Sequence, residues 1–382
     1  MLTLLRDAEV YAPEPLGRRD LLLGGGRILA IAEPGITVEG ADELDLGGRR
    51  VIPGLIDGHV HLGGGGGEAG MASRVPPIML GALVRAGITS VVGLLGTDST
   101  TRTIEDLVAR TLGLREEGLS AWCYTGSYQV PVRTLTGSIR GDICFVDPII
   151  GVGELALSDH RSSQPTLDEL LRIASDCHVA GLTSKKAGIV HLHLGDGARG
   201  LALVRQALDT TELPPRVFQP THVNRNPGLL AEAIALARSH RVPIDVTAFD
   251  DTATDAIARC LADEGFPHER LTCSSDGAGC LPVYDADGQL VEMDVGRPAM
   301  LLGALGDLLA SGLPLERVLP VFTANVAAQL RLPRKGRLAV GHDADLVILG
   351  EGASLDGVIA RGRWMIRERT QMMFGMFERV KP

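Results

Sequence analysis

Eight short apolar runs punctuate the chain between residues 51 and 276, and most are followed by a stretch with the 3.6-residue periodicity of an amphipathic helix. The runs cover residues 51–62, 88–95, 119–125, 149–157, 188–195, 217–223, 242–249 and 271–276. Helical patterns between them include 104–115, 167–177, 229–238 and 254–261, and Asn226-Pro227 has the form of an N-cap with proline at the first helical position. Eight strand–helix units predict an α/β fold, a (β/α)8 TIM barrel over residues 54–334. A doubly wound open sheet is the alternative. Residues 1–53 and 335–382 have a different texture, short apolar stretches separated by glycine pairs. Neither end offers enough apolar surface to fold alone, so the two are expected to pair into one small β-sandwich domain.

A barrel places its chemistry at the C-terminal ends of its strands, and the metal-type residues of this chain fall there. His59 and His61 close the first run in Asp57-Gly-His-Val-His-Leu62. On a strand, residues i and i+2 share a face, so both imidazoles can reach one divalent metal. His193, His222 and Asp276 end three later runs. Glu154 lies inside the apolar run 149–157, where a carboxylate is costly unless it is paired or metal-bound. It either bridges two metals or forms a buried ion pair, for instance with Arg161. Asp276 can serve as a ligand and also as the group that moves a proton from a water of lowered pKa.

Other residues at the same rim suit substrate binding. The glycine run 63–67 followed by Glu68 offers backbone N–H groups and a carboxylate, or is a plain linker. Tyr128 can donate to a developing oxyanion or pack in the core. Arg161 and Arg225 can read carboxylates bidentately or form surface salt bridges. The other histidines, His191 among them, are expected to be structural.

Composition limits the alternatives. A net charge of −10 gives no basic face for nucleic acid. No run of 18 apolar residues is present, so no membrane span is expected. Six cysteines without a C-x-x-C pair fit reduced thiols in a cytoplasmic enzyme.

These motifs resemble the amidohydrolase superfamily, and within it the isoaspartyl (β-aspartyl) dipeptidases. The blocks that carry the likeness are Asp57-Gly-His-Val-His-Leu62, Gly64-Gly-Gly-Gly-Glu-Ala-Gly70, the segment 89–98, Thr125-Gly-Ser-Tyr128, Ser158-Asp-His-Arg-Ser162, Thr221-His-Val-Asn-Arg-Asn226 and Ser274-Ser-Asp-Gly277. The resemblance implies a two-zinc centre held by His59, His61, His193, His222 and Asp276. It implies a substrate site in which Glu68 meets the α-amino group, Arg161 and Arg225 bind carboxylates, Gly66, Gly67 and Thr97 add contacts, and Tyr128 polarises the scissile carbonyl. It also implies a small peptide substrate and a homo-oligomer. Two departures stand out. Glu154 occupies the position where such enzymes commonly have a carboxylated lysine bridging the metals, and its reach is shorter by several bonds. Cys280 replaces a serine expected to touch substrate, and a thiol is the weaker donor. The other readings are a cyclic-amide hydrolase of the dihydroorotase or hydantoinase kind and a non-catalytic scaffold.

Overall fold

The computed structural model describes residues 2–249, 252–285 and 289–378. Eight strands form its body: β1 (Leu55–Val60), β2 (Ile88–Gly93), β3 (Ser120–Thr125), β4 (Ile149–Leu157), β5 (Ile189–Leu194), β6 (Phe218–Thr221), β7 (Ile244–Thr247) and β8 (Leu271–Ser274). Strands β1 to β6 form one parallel sheet and β7 pairs with β8. These strands are buried on both faces, which is why they read as apolar runs and not as alternation.

Two seams close the barrel. Between β8 and β1 the His61 N–H donates to the Gly277 carbonyl at 2.9 Å. Buried Asp57 spans the same seam, accepting from the backbone N–H of Ser275 at 3.1 Å and from its hydroxyl. Between β6 and β7 one backbone bond, from the Val223 N–H to the Asp245 carbonyl at 3.4 Å, is joined by a side chain: Asn224 donates to the Thr247 carbonyl at 3.0 Å and accepts from the Thr247 N–H at 2.9 Å. Asn224→Ala should lower stability by about 1–3 kcal/mol, because the Thr247 N–H would be left unpaired in a buried seam, while its carbonyl keeps the Phe249 N–H at 3.1 Å. Urea unfolding checks this, and an unchanged midpoint would show that the seam does not depend on Asn224.

The helices follow local signals. Asn226 caps Pro227–His240 by accepting from the Leu229 N–H at 2.9 Å, with Pro227 at the first turn. Helix Leu167–Ser184 starts with a capping box of Thr166 and Glu169. It runs seven residues beyond the expected end at 177, because Ala180 and Gly181 continue its buried face, and it stops at Lys185 in the left-handed region.

Strands from both ends of the chain join in one nine-stranded sheet. Where a sandwich of two sheets is expected, one sheet curls over its own core, bringing Leu5, Leu21 and Ile28 against Leu346 and Ile359. Its far edge closes where Ile28 donates to the His342 carbonyl at 3.0 Å. The apolar run 51–62 is divided between the two sheets. Arg50–Pro53 pairs with Leu346–Leu349 in the nine-stranded sheet, and β1 begins after Gly54. No helix among the described residues is long and apolar enough to cross a membrane.

Candidate metal centre and active site

The C-terminal mouth of the barrel collects the expected imidazoles and carboxylates. His59 is the penultimate residue of β1 and His61 follows it; both are buried. His193 lies near the end of β5. His222 comes one residue after β6 and Asp276 two residues after β8, so neither is within its strand. Both have left-handed backbones, φ +60° and +51°. Non-glycine residues rarely adopt that conformation, and its local strain is characteristic of functional sites.

Glu154 stands at the centre of this group. Its Oε1 is 3.3 Å from His61 Nε2, and its Oε2 is 3.2 Å from His193 Nδ1, 3.4 Å from His222 Nε2 and 3.6 Å from His59 Nε2. The ion pair with Arg161 does not form; Arg161 bonds instead to Asp159 and Glu68. The short reach of Glu154 is offset by the backbone. In the β4–β5 ladder Val152 faces Val190 and Leu155 faces Leu192, so β4 carries one extra residue at Gly153-Glu154. The bulge lies so far inward that the Glu154 N–H donates to the Leu95 carbonyl at 3.4 Å, beyond β2 and across the intervening strand. Space for the carboxylate comes from Gly96, where a Cβ would sit 2.7 Å from the His61 ring and 3.3 Å from Glu154 Oε1.

The donor set fits a cation. One ligand atom each from His59, His61 and Asp276 lie within 4.8 Å of one another, and so do atoms from His59, Glu154 and His222. His59 Nε2 and Asp276 Oδ1 are buried and form no hydrogen bond, which is expensive unless something else satisfies them. His191, one pleat deeper, does not reach this cluster. Its Nε2 is 2.8 Å from His59 Nδ1, so it braces the far side of that ring and leaves Nε2 turned inward. His193 falls outside both three-residue groups but touches Glu154, Tyr128 at 2.9 Å from Nδ1, and Asp159 at 3.0 Å from Nε2.

Charge follows the same geometry. Burial works against both ionised partners, yet Asp276 and Glu154 push the His61 imidazole up to about 9, and they raise His59 as well. Conversely, burial would raise Glu154 and Asp276, but the imidazoles hold both well below the usual carboxylate range. His222 drops to about 3 because burial dominates there. In the absence of cations, protons on the His59 and His61 rings balance the two carboxylates.

A cavity of about 200 Å³ opens above the cluster. Gly66, Glu68, Thr97, Tyr128, Arg161, Arg225 and Cys280 line it; Gly67 does not, and shapes the loop with φ +109° instead. Glu68 Oε1 accepts from Thr97 Oγ1 at 2.9 Å and from Arg161 Nη1 at 3.3 Å, while Oε2 is buried with no N–H or O–H partner. The Cys280 thiol lies against Glu68, and burial and that carboxylate push it up to about 12. Arg225 bonds the Leu194 carbonyl through Nε at 2.9 Å. Tyr128 is buried, which holds its phenol well above its ordinary pKa and so protonated.

Several contributors escape a reading of the sequence. Arg102 is buried and grips the glycine loop, donating to the carbonyls of Gly63, Gly65 and Val75. Asp159 lies inside the Ser158-Asp-His-Arg161 motif, where the arginine draws the attention. A hairpin, Cys280–Tyr284 with Leu290–Val295, contributes Leu281, Pro282 and Val283 to the mouth; its strands are too exposed to leave a periodic signal.

The family model for amidohydrolases matches residues 50–365. The chain belongs to the amidohydrolase family. Among solved structures this amidohydrolase is similar to a β-aspartyl dipeptidase from Fervidobacterium islandicum AW-1 in complex with β-Asp-Leu dipeptide, with a TM-score of 0.92 and 39% identity over 97% of this chain and 98% of that one. A second structure of a β-aspartyl dipeptidase from the same organism has a TM-score of 0.89 and 37% identity, again over 97% of this chain and 98% of the other. By sequence the amidohydrolase is also 26% identical to an allantoinase of Deinococcus radiodurans, over 94% of this chain and 89% of that one.

Proposed function

We propose that this amidohydrolase hydrolyses β-aspartyl dipeptides, releasing aspartate and an amino acid. The observation that carries the reading is the pair Glu68 and Arg161, 3.3 Å apart beside the metal-type cluster, with one Glu68 oxygen unsatisfied. An aspartyl residue linked through its side chain keeps a free α-ammonium and a free α-carboxylate on one carbon. Glu68 and Arg161 offer the complementary charges at that spacing, and a cyclic-amide substrate has no such ammonium. The family resemblance of the whole chain to β-aspartyl dipeptidases supports the same substrate.

Two zinc ions per chain would be held by His59, His61, Glu154, His193, His222 and Asp276. When bound, they would lower the pKa of water to about 7 and polarise a carbonyl. The chain supplies the rest. Asp276 takes a proton from the attacking water and delivers it to the leaving nitrogen. Tyr128 keeps its proton and donates to the carbonyl oxygen as negative charge grows there. Glu68, Arg161, Arg225, Thr97 and the backbone of Gly66 fix the aspartyl end, and Gly67 only shapes the loop that carries Gly66 and Glu68. Cys280, beside Glu68, tunes that end more weakly than a hydroxyl would. All six cysteines are free, which suits a reducing cytoplasm. The exposed Met372, Met376 and Phe377 suit a surface buried in a homo-oligomer.

The test compares β-Asp-Leu with α-Asp-Leu and counts bound metal per chain. Selective cleavage of β-Asp-Leu is expected; equal cleavage of both, or of neither with metal fully loaded, removes the reading. Glu68→Gln should lower kcat/KM for β-Asp-Leu by about a hundredfold or more, since a buried charge pair with substrate is lost. Ring-opening of dihydroorotate by the wild type, undiminished in Glu68→Gln, would point to a cyclic-amide hydrolase instead.

A further inference from the structure

One carboxylate oxygen serves two partners that the proposed function keeps apart. Asp159 Oδ2 lies 3.0 Å from His193 Nε2 and accepts from Arg161 Nη2 at 2.7 Å. Its Oδ1 accepts from Arg161 Nε at 2.9 Å and from the Arg161 backbone N–H at 2.8 Å. We propose that Asp159 is a positioning residue that fixes the metal-facing tautomer of His193 and the orientation of Arg161 at once, tying metal retention to recognition of the substrate carboxylate. The inference rests on the β-aspartyl reading for its Arg161 half alone.

The tautomer follows from the contacts. An ionised carboxylate only accepts, so His193 Nε2 must carry the hydrogen. That leaves Nδ1, which faces Glu154 Oε2 at 3.2 Å and the Tyr128 hydroxyl at 2.9 Å, as the nitrogen able to offer its lone pair to a cation. That places an imidazole lone pair at the edge of the cluster, held from behind by a carboxylate. The guanidinium is fixed by the same side chain through a bidentate fork and stacks over the Tyr128 ring at 5.4 Å. Asp159 itself is tightly held. Its carbonyl accepts from Gln164 Nε2 at 2.8 Å and from the Ser162 N–H at 3.1 Å. The loop after β5 closes against it at Gly195, where a Cβ would lie 2.6 Å from Asp159 Cβ. An asparagine in its place has one acceptor oxygen and no charge: it can keep the Oδ2 contacts to His193 and Arg161 Nη2 or the Oδ1 contacts to Arg161 Nε and N–H, but not all four.

The experiment uses the full chain, stripped of metal and titrated with zinc against a chromophoric chelator, and reads KM and kcat for β-Asp-Leu on the reloaded enzyme. In Asp159→Asn one of the two zinc ions should bind about 10–100-fold more weakly. KM should rise about tenfold while kcat at saturating zinc falls less. Asp159→Glu, which keeps the charge, should recover part of the zinc affinity. Unchanged zinc affinity in Asp159→Asn overturns the proposal, and so does weakened zinc with an unchanged KM, because then the carboxylate serves the histidine alone. Should Asp159→Asn fail to fold, Asp159→Ser is read in the same two assays against the same outcomes. The zinc titration needs no substrate, so a wild type that binds zinc yet ignores β-Asp-Leu defeats the peptidase reading without touching the His193 half.

Discussion

Glu154→Gln should leave the chain folded, reduce bound zinc to one ion per chain or fewer, and lower kcat/KM for β-Asp-Leu by about a thousandfold or more. The side chain is buried and meets four imidazoles between 3.2 and 3.6 Å, and no arginine or lysine among the described residues pairs with it. Glutamine keeps the shape and removes the charge, so packing around the bulge at Gly153-Glu154 is preserved. Without the carboxylate, the protons on His59 and His61 lose one of their two stabilising anions, and the rings can neutralise by giving a proton up. Two dications cannot adapt that way. A unit charge about 4 Å from a cation is worth about 4 kcal/mol at an effective dielectric of 20, or about a thousandfold in affinity. The amide also has one acceptor oxygen where a bridge needs two. Elemental analysis after gel filtration, with steady-state rates on the same sample, measures both quantities. Wild-type zinc content together with a wild-type rate would show that Glu154 does not bridge.

That central residue marks the boundary of what the sequence makes legible. A carboxylate inside an apolar run identifies Glu154 as unusual, and apolar runs with helical patterns between them identify the barrel. The bulge that lets Glu154 reach is invisible, because register between two fully buried strands leaves no alternation to read. Gly54 looks like one glycine in a continuous run; it is a boundary because Pro53 pairs with Leu346, nearly three hundred residues along the chain. The candidate ligands His59 and His61 are legible for the opposite reason: they are two apart at the end of a strand, and their chemistry shows in the spacing. Asp159 and His191 act through a histidine brought close only by folding. Within the chain each reads as an ordinary polar neighbour of a motif, and only its contact with His193 or His59 gives it a function.

Zinc uptake should weaken steeply as pH falls from about 9, and zinc added at pH 7.5 should release about two protons per chain. The metal-free chain holds a proton on His61 up to about 9, against an ordinary imidazole value of 6.5, and His59 is raised too; burial opposes this, and Asp276 and Glu154 overcome it. A metal binds only the neutral ring, so each proton displaced costs about tenfold in affinity per pH unit below that point. With two rings the dependence approaches a hundredfold per unit at neutral pH, and the His61 share of it ends above about 9. The same shift acts on folding with the opposite sense. The folded ring of His61 binds its proton more tightly than the unfolded ring does, so this contribution is complete below 6.5 and is lost as pH rises through about 9. The thermal midpoint of the metal-free chain should therefore decline between those values from this source, while the zinc-loaded chain, whose rings carry no proton there, should not follow it. Proton release measured with an indicator dye in dilute buffer, alongside chelator competition at pH 6.5, 7.5 and 8.5, separates the outcomes. Zinc affinity that is flat between pH 7 and 9, with no protons released, would mean that the paired carboxylates do not hold protons on His59 and His61.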